Sequence, residues 1–262
     1  MASWMVPYSL QPEMMDDPAL PAAEHFHALN ALARINMLSL TATQIVRKIA
    51  RMPTGRQPTP LGGHALQVVD VACGGGDVTV AVARQLARRL PSGAEGAPAV
   101  QMTGIDISHR AVEWATRHSE GRTGSASVSF IVQDILAAGC PTCDVAISSL
   151  FLHHLDDDTA VHVLTSLARA ARIGIVVSDL LRTAAGLTLA VVGTAVLTGS
   201  RVARVDGPAS VRSARTKAEY RGLLDRAGLQ QAKIYHAWPE RVILTWTRPT
   251  NGSMPFVVEA TR

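Results

Sequence analysis

From Val68 to Val78 the chain runs Val68-Val69-Asp70-Val71-Ala72-Cys73-Gly74-Gly75-Gly76-Asp77-Val78. A β-branched apolar run passes through three glycines straight into a segment with helical apolar spacing. A strand that ends in glycines and opens a helix turns tightly and brings its backbone close to a ligand. The helix N-terminus then faces the ligand's polar or negative groups. Strand–helix units of this kind build parallel α/β sheets. With 47% hydrophobic and 18% charged residues the chain has apolar surface enough for a core, which excludes wholesale disorder. Aromatics at 4% argue against an aromatic-rich β-sandwich.

The rest of the chain repeats the alternation. Apolar runs predict strands at 66–72, 100–106, 126–132, 144–149 and 173–178. Helices are predicted at 78–90, 110–120 and 159–171. A helix at 217–227 stopped by Gly228, and strands at 229–235 and 241–247, complete a domain expected over 66–248. Before it lie a Pro-rich leader (1–21), expected to be frayed, and a helical cap with linker (22–65). In the cap, 22–52 reads as helix with one break, and prolines and glycines crowd 53–63. A tail follows at 249–262. Residues 1–17 lack a basic segment ahead of an apolar core, so a cytoplasmic location is expected. Three cysteines suit a reducing compartment. The net charge of +4, without a dense Lys/Arg stripe, gives no reason to expect nucleic acid.

Carboxylates mark the tips of successive strands. Gly104-Ile105-Asp106-Ile107 ends the second, where a carboxylate accepts hydrogen bonds from vicinal ribose hydroxyls. Gln133-Asp134-Ile135 ends the third, suited to an exocyclic amine. The fourth leads through Ser148-Ser149-Leu150-Phe151-Leu152 to His153-His154. Singly, each aspartate reads equally well as a cap; together they follow the ligand side of the sheet.

In these motifs the chain resembles the class I S-adenosylmethionine-dependent methyltransferases, in particular the small-molecule group that includes ubiquinone-biosynthesis enzymes. The resemblance covers roughly residues 66–248. It implies a doubly wound, Rossmann-like α/β sheet of seven mostly parallel strands under a helical cap. It implies S-adenosylmethionine as cofactor, its methionine part against Asp70, Ala72, Cys73, Gly74 and Gly76. The ribose would lie on Asp106 with Ile107 beside the adenine, and the adenine amine near Asp134 and Ile135. Ser148, Ser149 and Leu150 would pass the sulfonium. Ala72 stands where the family usually has its first glycine. The rival ligand, a nicotinamide dinucleotide, requires a third glycine where this chain has Thr79.

His153 and His154 are the candidate catalytic residues, one of them a base for a phenolic hydroxyl. The expected acceptor is small and hydrophobic, a phenolic or quinone- or polyketide-like hydroxyl. Carbon methylation and a non-catalytic cofactor-binding protein are the alternatives. No metal site is expected: Asp156, Asp157 and Asp158 read as a helix cap, and Cys140–Cys143 as incidental. The uncharged 183–200, within a lid insertion at 183–215, reads as a pocket cover in preference to a membrane span, with shallow lipid contact left open. Arg201, Arg204, Arg212 and Arg215 read as a solvated loop or as a handle for an acidic acceptor. His25 and His27, on the cap, read as exposed.

Overall fold

The computed structural model describes residues 6–52, 65–90 and 99–249; the expected linker at 53–63 and most of the tail lie outside them. Seven strands form one sheet: β1 (Leu66–Val71), β2 (Val100–Asp106), β3 (Ser127–Val132), β4 (Cys143–Ser149), β5 (Ala171–Leu180), β6 (Lys233–Ala237) and β7 (Arg241–Thr247). Their order is β3-β2-β1-β4-β5-β7-β6, with β7 antiparallel to both neighbours and the other six strands running in one direction. This is the Rossmann-like sheet that the resemblance implies.

Alternation along the strands sends successive side chains to opposite faces. Val71, Ile175, Val177 and Leu244 meet α6 (Asp157–Ala170) and α9 (Lys217–Arg226) through Leu164, Leu167, Leu223 and Leu224. Val68, Ile147 and Val176 meet α2 (Thr41–Ile49) and α3 (Asp77–Ala87) through Ile45, Ile49, Val82 and Leu86. β1 leads to β2 on one side and β4 leads to β5 on the other, so the connections leave the adjacent tips of β1 and β4 in opposite directions. That opens a crevice at the tips of β1 and β4, where such sheets take ligands.

The cap helix is broken at Leu40, which adopts φ 55, separating α1 (Ala22–Leu38) from α2. α4 (His109–Ser119) and the short α5 (Ile135–Ala138) complete the crossovers. Over the crevice lie α7 (Ala184–Leu197) and α8 (Arg201–Ser213). α7 is apolar on all sides: Leu189, Thr194 and Leu197 line the crevice, while Val196 is 76% exposed. No helix among the described residues is long and apolar enough to cross a membrane.

Two expectations need correction. The leader is tied down from Val6 onward: Arg182 Nη1 donates to Val6 O (2.7 Å), Ser9 N donates to Arg212 O (3.1 Å), and Leu20 is buried. The arginine-bearing stretch is a helix and not a solvated loop. Its Asp206 accepts the Met14 and Met15 N–H groups at 2.9 and 3.1 Å, holding a 3-10 turn at Met14–Asp16.

Candidate active site

The chain leaves β1 through Ala72 at φ 56, a left-handed conformation that strains a residue with a Cβ. Ala72→Gly is therefore expected to stabilise the protein by about 0.5–1 kcal/mol, read from denaturant midpoints. Gly74, at φ 51, has nothing within 4 Å of where its Cβ would stand and opens onto the crevice. Gly76, at φ 74, serves packing instead: a Cβ there would lie 2.7 Å from the Phe130 ring and 2.9 Å from Ala115. It does not line the crevice.

Asp70 also stands behind the loop, fully buried. Thr79 Oγ1 donates to its Oδ2 at 2.7 Å, and its Oδ1 has no partner among the described residues. Burial, against the Thr79 bond and helped by Asp77 and Asp106, pushes its pKa up to about 7. A carboxyl raised in this way favours folding at low pH and loses that contribution as the pH rises through 7. Asp70→Asn keeps an acceptor for Thr79 and cannot ionise. At about pH 8 its melting temperature is expected to exceed the parent's, by an energy on the order of 4 kcal/mol, with the gap narrowing as the pH falls below 7 and closing near pH 4.

Asp106 bridges the two strand tips. Its Oδ2 accepts Gly74 N–H and its Oδ1 accepts Ser108 N–H, both at 2.8 Å. Burial raises its pKa and these two donors oppose the shift. Each oxygen keeps lone-pair capacity for a further donor. Asp134 caps α5 by accepting Leu136 N–H at 2.8 Å and also lines the crevice. Ile107 and Leu136 stand there 67% and 45% exposed, while Ile135 is buried beneath. Of the β4 segment, Ser148 turns inward and donates to Val71 O at 2.9 Å, whereas Ser149 and Leu150 reach the cavity wall. Cys73 lines the cavity as well, its thiol pushed well up by burial and by Asp70.

His153 and His154 sit in a 3-10 turn, Leu152–His154. Arg215 fixes that turn from behind, donating to Leu152 O and Leu155 O at 2.7 Å each and pairing with Asp157. It is 1% exposed, so it is no handle for an acceptor. Arg204 and Arg212 likewise donate to helix carbonyls, and Asp156 caps α6. His153 Nδ1 lies 2.5 Å from Asp179 Oδ1 at the tip of β5, and its N–H donates to Asp179 Oδ2 at 3.1 Å. Its Nε2 faces Glu13 Oε1 at 3.5 Å. Burial works against the charged imidazole, but Asp179 and Glu13 outweigh it and hold the pKa near about 10. His154 faces the same Glu13 oxygen through Nε2 (3.9 Å), and its Nδ1 lies 3.1 Å from Asp16 Oδ2.

Sequence reasoning missed Glu13, Asp16 and Asp179. For Asp179 the strand-tip rule that found Asp106 was an available signal; for the leader carboxylates there was none. It also missed a chain joining cap to sheet: Asn36 Nδ2 donates to Asp77 Oδ2 (3.1 Å), and buried Arg241 donates to Asn36 Oδ1 and Thr41 Oγ1 (3.1 and 2.9 Å). His25 is a further correction. It is 7% exposed, lines the cavity, and its Nδ1 has no partner among the described residues.

The cavity these residues enclose measures about 1060 Å³, room for a nucleoside cofactor and a second small molecule. Residues 68–174 match the family model described as a methyltransferase domain. No curated protein has a matching sequence. Among solved structures, the chain is similar to magnesium protoporphyrin IX methyltransferase from Synechocystis with bound S-adenosylhomocysteine (TM-score 0.53, 20% identity, 80% of this chain and 83% of that one). It is similar to a putative O-methyltransferase from Nostoc punctiforme (0.58, 17%, 92% and 64%). It is also similar to human N-acetylserotonin methyltransferase in complex with S-adenosylmethionine (0.57, 18%, 87% and 56%). The chain thus spans less than two thirds of the length of the last two.

The domain that carries the cavity has the fold of these methyltransferases, two of which hold S-adenosylhomocysteine or S-adenosylmethionine. The residues present fit that group. A backbone open at Gly74, a tip carboxylate with spare acceptor capacity and uncovered apolar side chains at Ile107 and Leu136 suit a ribose and a flat base.

Proposed function

We propose that the protein methylates a hydroxyl on a small, hydrophobic, phenolic or quinone-like acceptor. The observation that carries this reading is the His153–Asp179 pair at the wall of a cavity to which α1 and α7 contribute apolar side chains such as Leu29, Leu32, Leu189 and Leu197. The similarity to a putative O-methyltransferase supports it.

When bound, the cofactor supplies an electrophilic methyl group, so the protein's work is alignment and proton removal. Gly74, Asp106 and Asp134 hold the nucleoside end. Ser149 and Leu150 line the wall between it and the histidines. Asp179 fixes the His153 ring with Nε2 toward the cavity and stabilises its positive charge. While Glu13 faces Nε2, the proton stays on His153. An acceptor hydroxyl that takes the place of the Glu13 carboxylate removes one of the two charges that keep it there, and Nε2 becomes the proton acceptor.

The test is incubation of the protein with S-adenosylmethionine and a panel of phenols, hydroxyquinones and matched carbon nucleophiles, read by mass spectrometry of the products. Oxygen-methylated phenols are the expected products. Carbon-methylated products alone, or cofactor binding with no product from any acceptor, contradict the reading.

A further inference from the structure

We propose that Glu13, His153 and His154 form a binding site for one divalent first-row transition cation at the edge of the cavity. Glu13 Oε1 lies 3.5 Å from His153 Nε2 and 3.9 Å from His154 Nε2, and the three ligand atoms all fall within 4.8 Å of one another. Ligands held about 2.0–2.2 Å from a tetrahedral zinc ion are spaced roughly 3.3–3.6 Å apart; the Glu13–His153 pair is already at that spacing and the Glu13–His154 pair closes by about 0.5 Å.

The surroundings are those of a metal site. Each imidazole has its Nδ1 against a carboxylate, Asp179 at 2.5 Å for His153 and Asp16 at 3.1 Å for His154. That arrangement fixes the ring, makes the nitrogen a better ligand and leaves Nε2 as the atom that binds. Both Nε2 atoms converge on one shared carboxylate. Ser210 donates to that carboxylate at 2.5 Å, orienting it. Charge agrees: Glu13, Asp16, Asp179 and Asp206 gather here, while Arg215 spends its donors on Asp157 and two carbonyls.

Two imidazole nitrogens and one carboxylate oxygen suit zinc, cobalt, iron or manganese better than magnesium or calcium, which prefer all-oxygen sets. Both Nε2 atoms bind the cation in their deprotonated form, so cation and proton compete for them. All three ligands line the cavity, so the coordination position that three protein ligands leave open faces its interior. An acceptor oxygen bound there loses its proton to solvent more readily, and the cation, holding His153 Nε2, then takes the place of that imidazole in promoting deprotonation. That role rests on the acceptor reading above; the site itself does not. Sequence spacing gave no warning, because Glu13 is far along the chain from the histidine pair and the eye-catching Asp156–Asp158 run is a cap.

The test is titration of untagged, chelator-treated protein with Co²⁺, followed by visible absorption, and with Zn²⁺, followed by calorimetry. One equivalent of each is expected to bind. Glu13→Gln and His154→Ala are each expected to weaken Zn²⁺ binding by about tenfold or more while S-adenosylhomocysteine affinity and thermal melting hold. Cys140→Ser, which removes a thiol that does not line the cavity, is expected to change neither titration. Absence of stoichiometric binding overturns the proposal. So does binding that survives both ligand variants, or that is lost with Cys140. If Glu13→Gln does not fold, His154→Ala, on a partly exposed side chain, carries the test alone. Zn²⁺ binding without methylation of any phenol leaves the site standing and removes the acceptor reading. Phenol methylation by chelator-treated protein that binds no Zn²⁺ does the reverse.

Discussion

Alanine in place of His153 is expected to lower turnover on a phenolic acceptor by about 10²–10⁴-fold, with S-adenosylhomocysteine affinity within about twofold of the parent. The histidine lines the cavity with Ser149 and Leu150 and is not among the residues proposed to hold the nucleoside, so cofactor affinity and turnover are expected to separate. Asp179→Asn preserves shape but removes the charge that Asp179 places 2.5 Å from Nδ1, and the same split between kcat and cofactor affinity is expected. Asp179 is also the acceptor for the His153 and Leu180 N–H groups. Melting curves on both variants therefore accompany the kinetics, separating a lost proton acceptor from a collapsed turn. His153→Ala protein that folds and turns over at the parent rate contradicts the base assignment.

Asp106→Ala is expected to weaken S-adenosylhomocysteine binding by about 30-fold or more, equivalent to about 2 kcal/mol. Two losses combine. The proposed ribose contact loses a charged acceptor, and Gly74 N–H loses the bond that draws the glycine loop toward β2. Asp106→Asn retains one oxygen, which can keep Gly74 N–H, and its expected loss is smaller. Calorimetry on the two variants apportions loop anchoring and ligand contact. Parent-like affinity in Asp106→Ala removes the ribose assignment.

The parts of this molecule that sequence reveals are those set by local pattern. β2 and β7 fall at the expected residues, since a buried strand between polar turns leaves little choice of end. The glycine loop and the tip aspartates follow from the same local logic. Where tertiary contacts decide, the sequence reads differently. α8 contains Gly207 and Pro208 and looks like a loop. It is helical because Asp206, Ser210 and Ser213 find their partners in the leader, at Met14, Glu13 and Ser9. Leu229 and Ala232 suggested a strand, yet they are buried in the turn ahead of β6, which begins at Lys233. An apolar residue folded under a turn imitates a strand position in any periodicity count.

The site divides along the same line. Asp106, Asp134, Ser149 and Leu150 could be placed from strand tips alone. Glu13 could not, because nothing in a proline-rich leader indicates that its carboxylate returns to a histidine on the far side of the sheet's central strands. Gly76, Asp70 and Ser148 were read as ligand contacts because they share a motif with residues that line the crevice. Their surroundings give them structural partners instead: the Phe130 ring, Thr79 and Val71 O.

The measurement that bears most directly on the central claim is calorimetric titration of the unmodified protein with S-adenosylhomocysteine, run beside NADH. Saturable binding of one equivalent of S-adenosylhomocysteine in the micromolar range, with no heat from NADH, is the expected result. Binding of NADH with no heat from S-adenosylhomocysteine would mean that the crevice beside Gly74 and Asp106 holds a dinucleotide, and the methyltransferase account would fall.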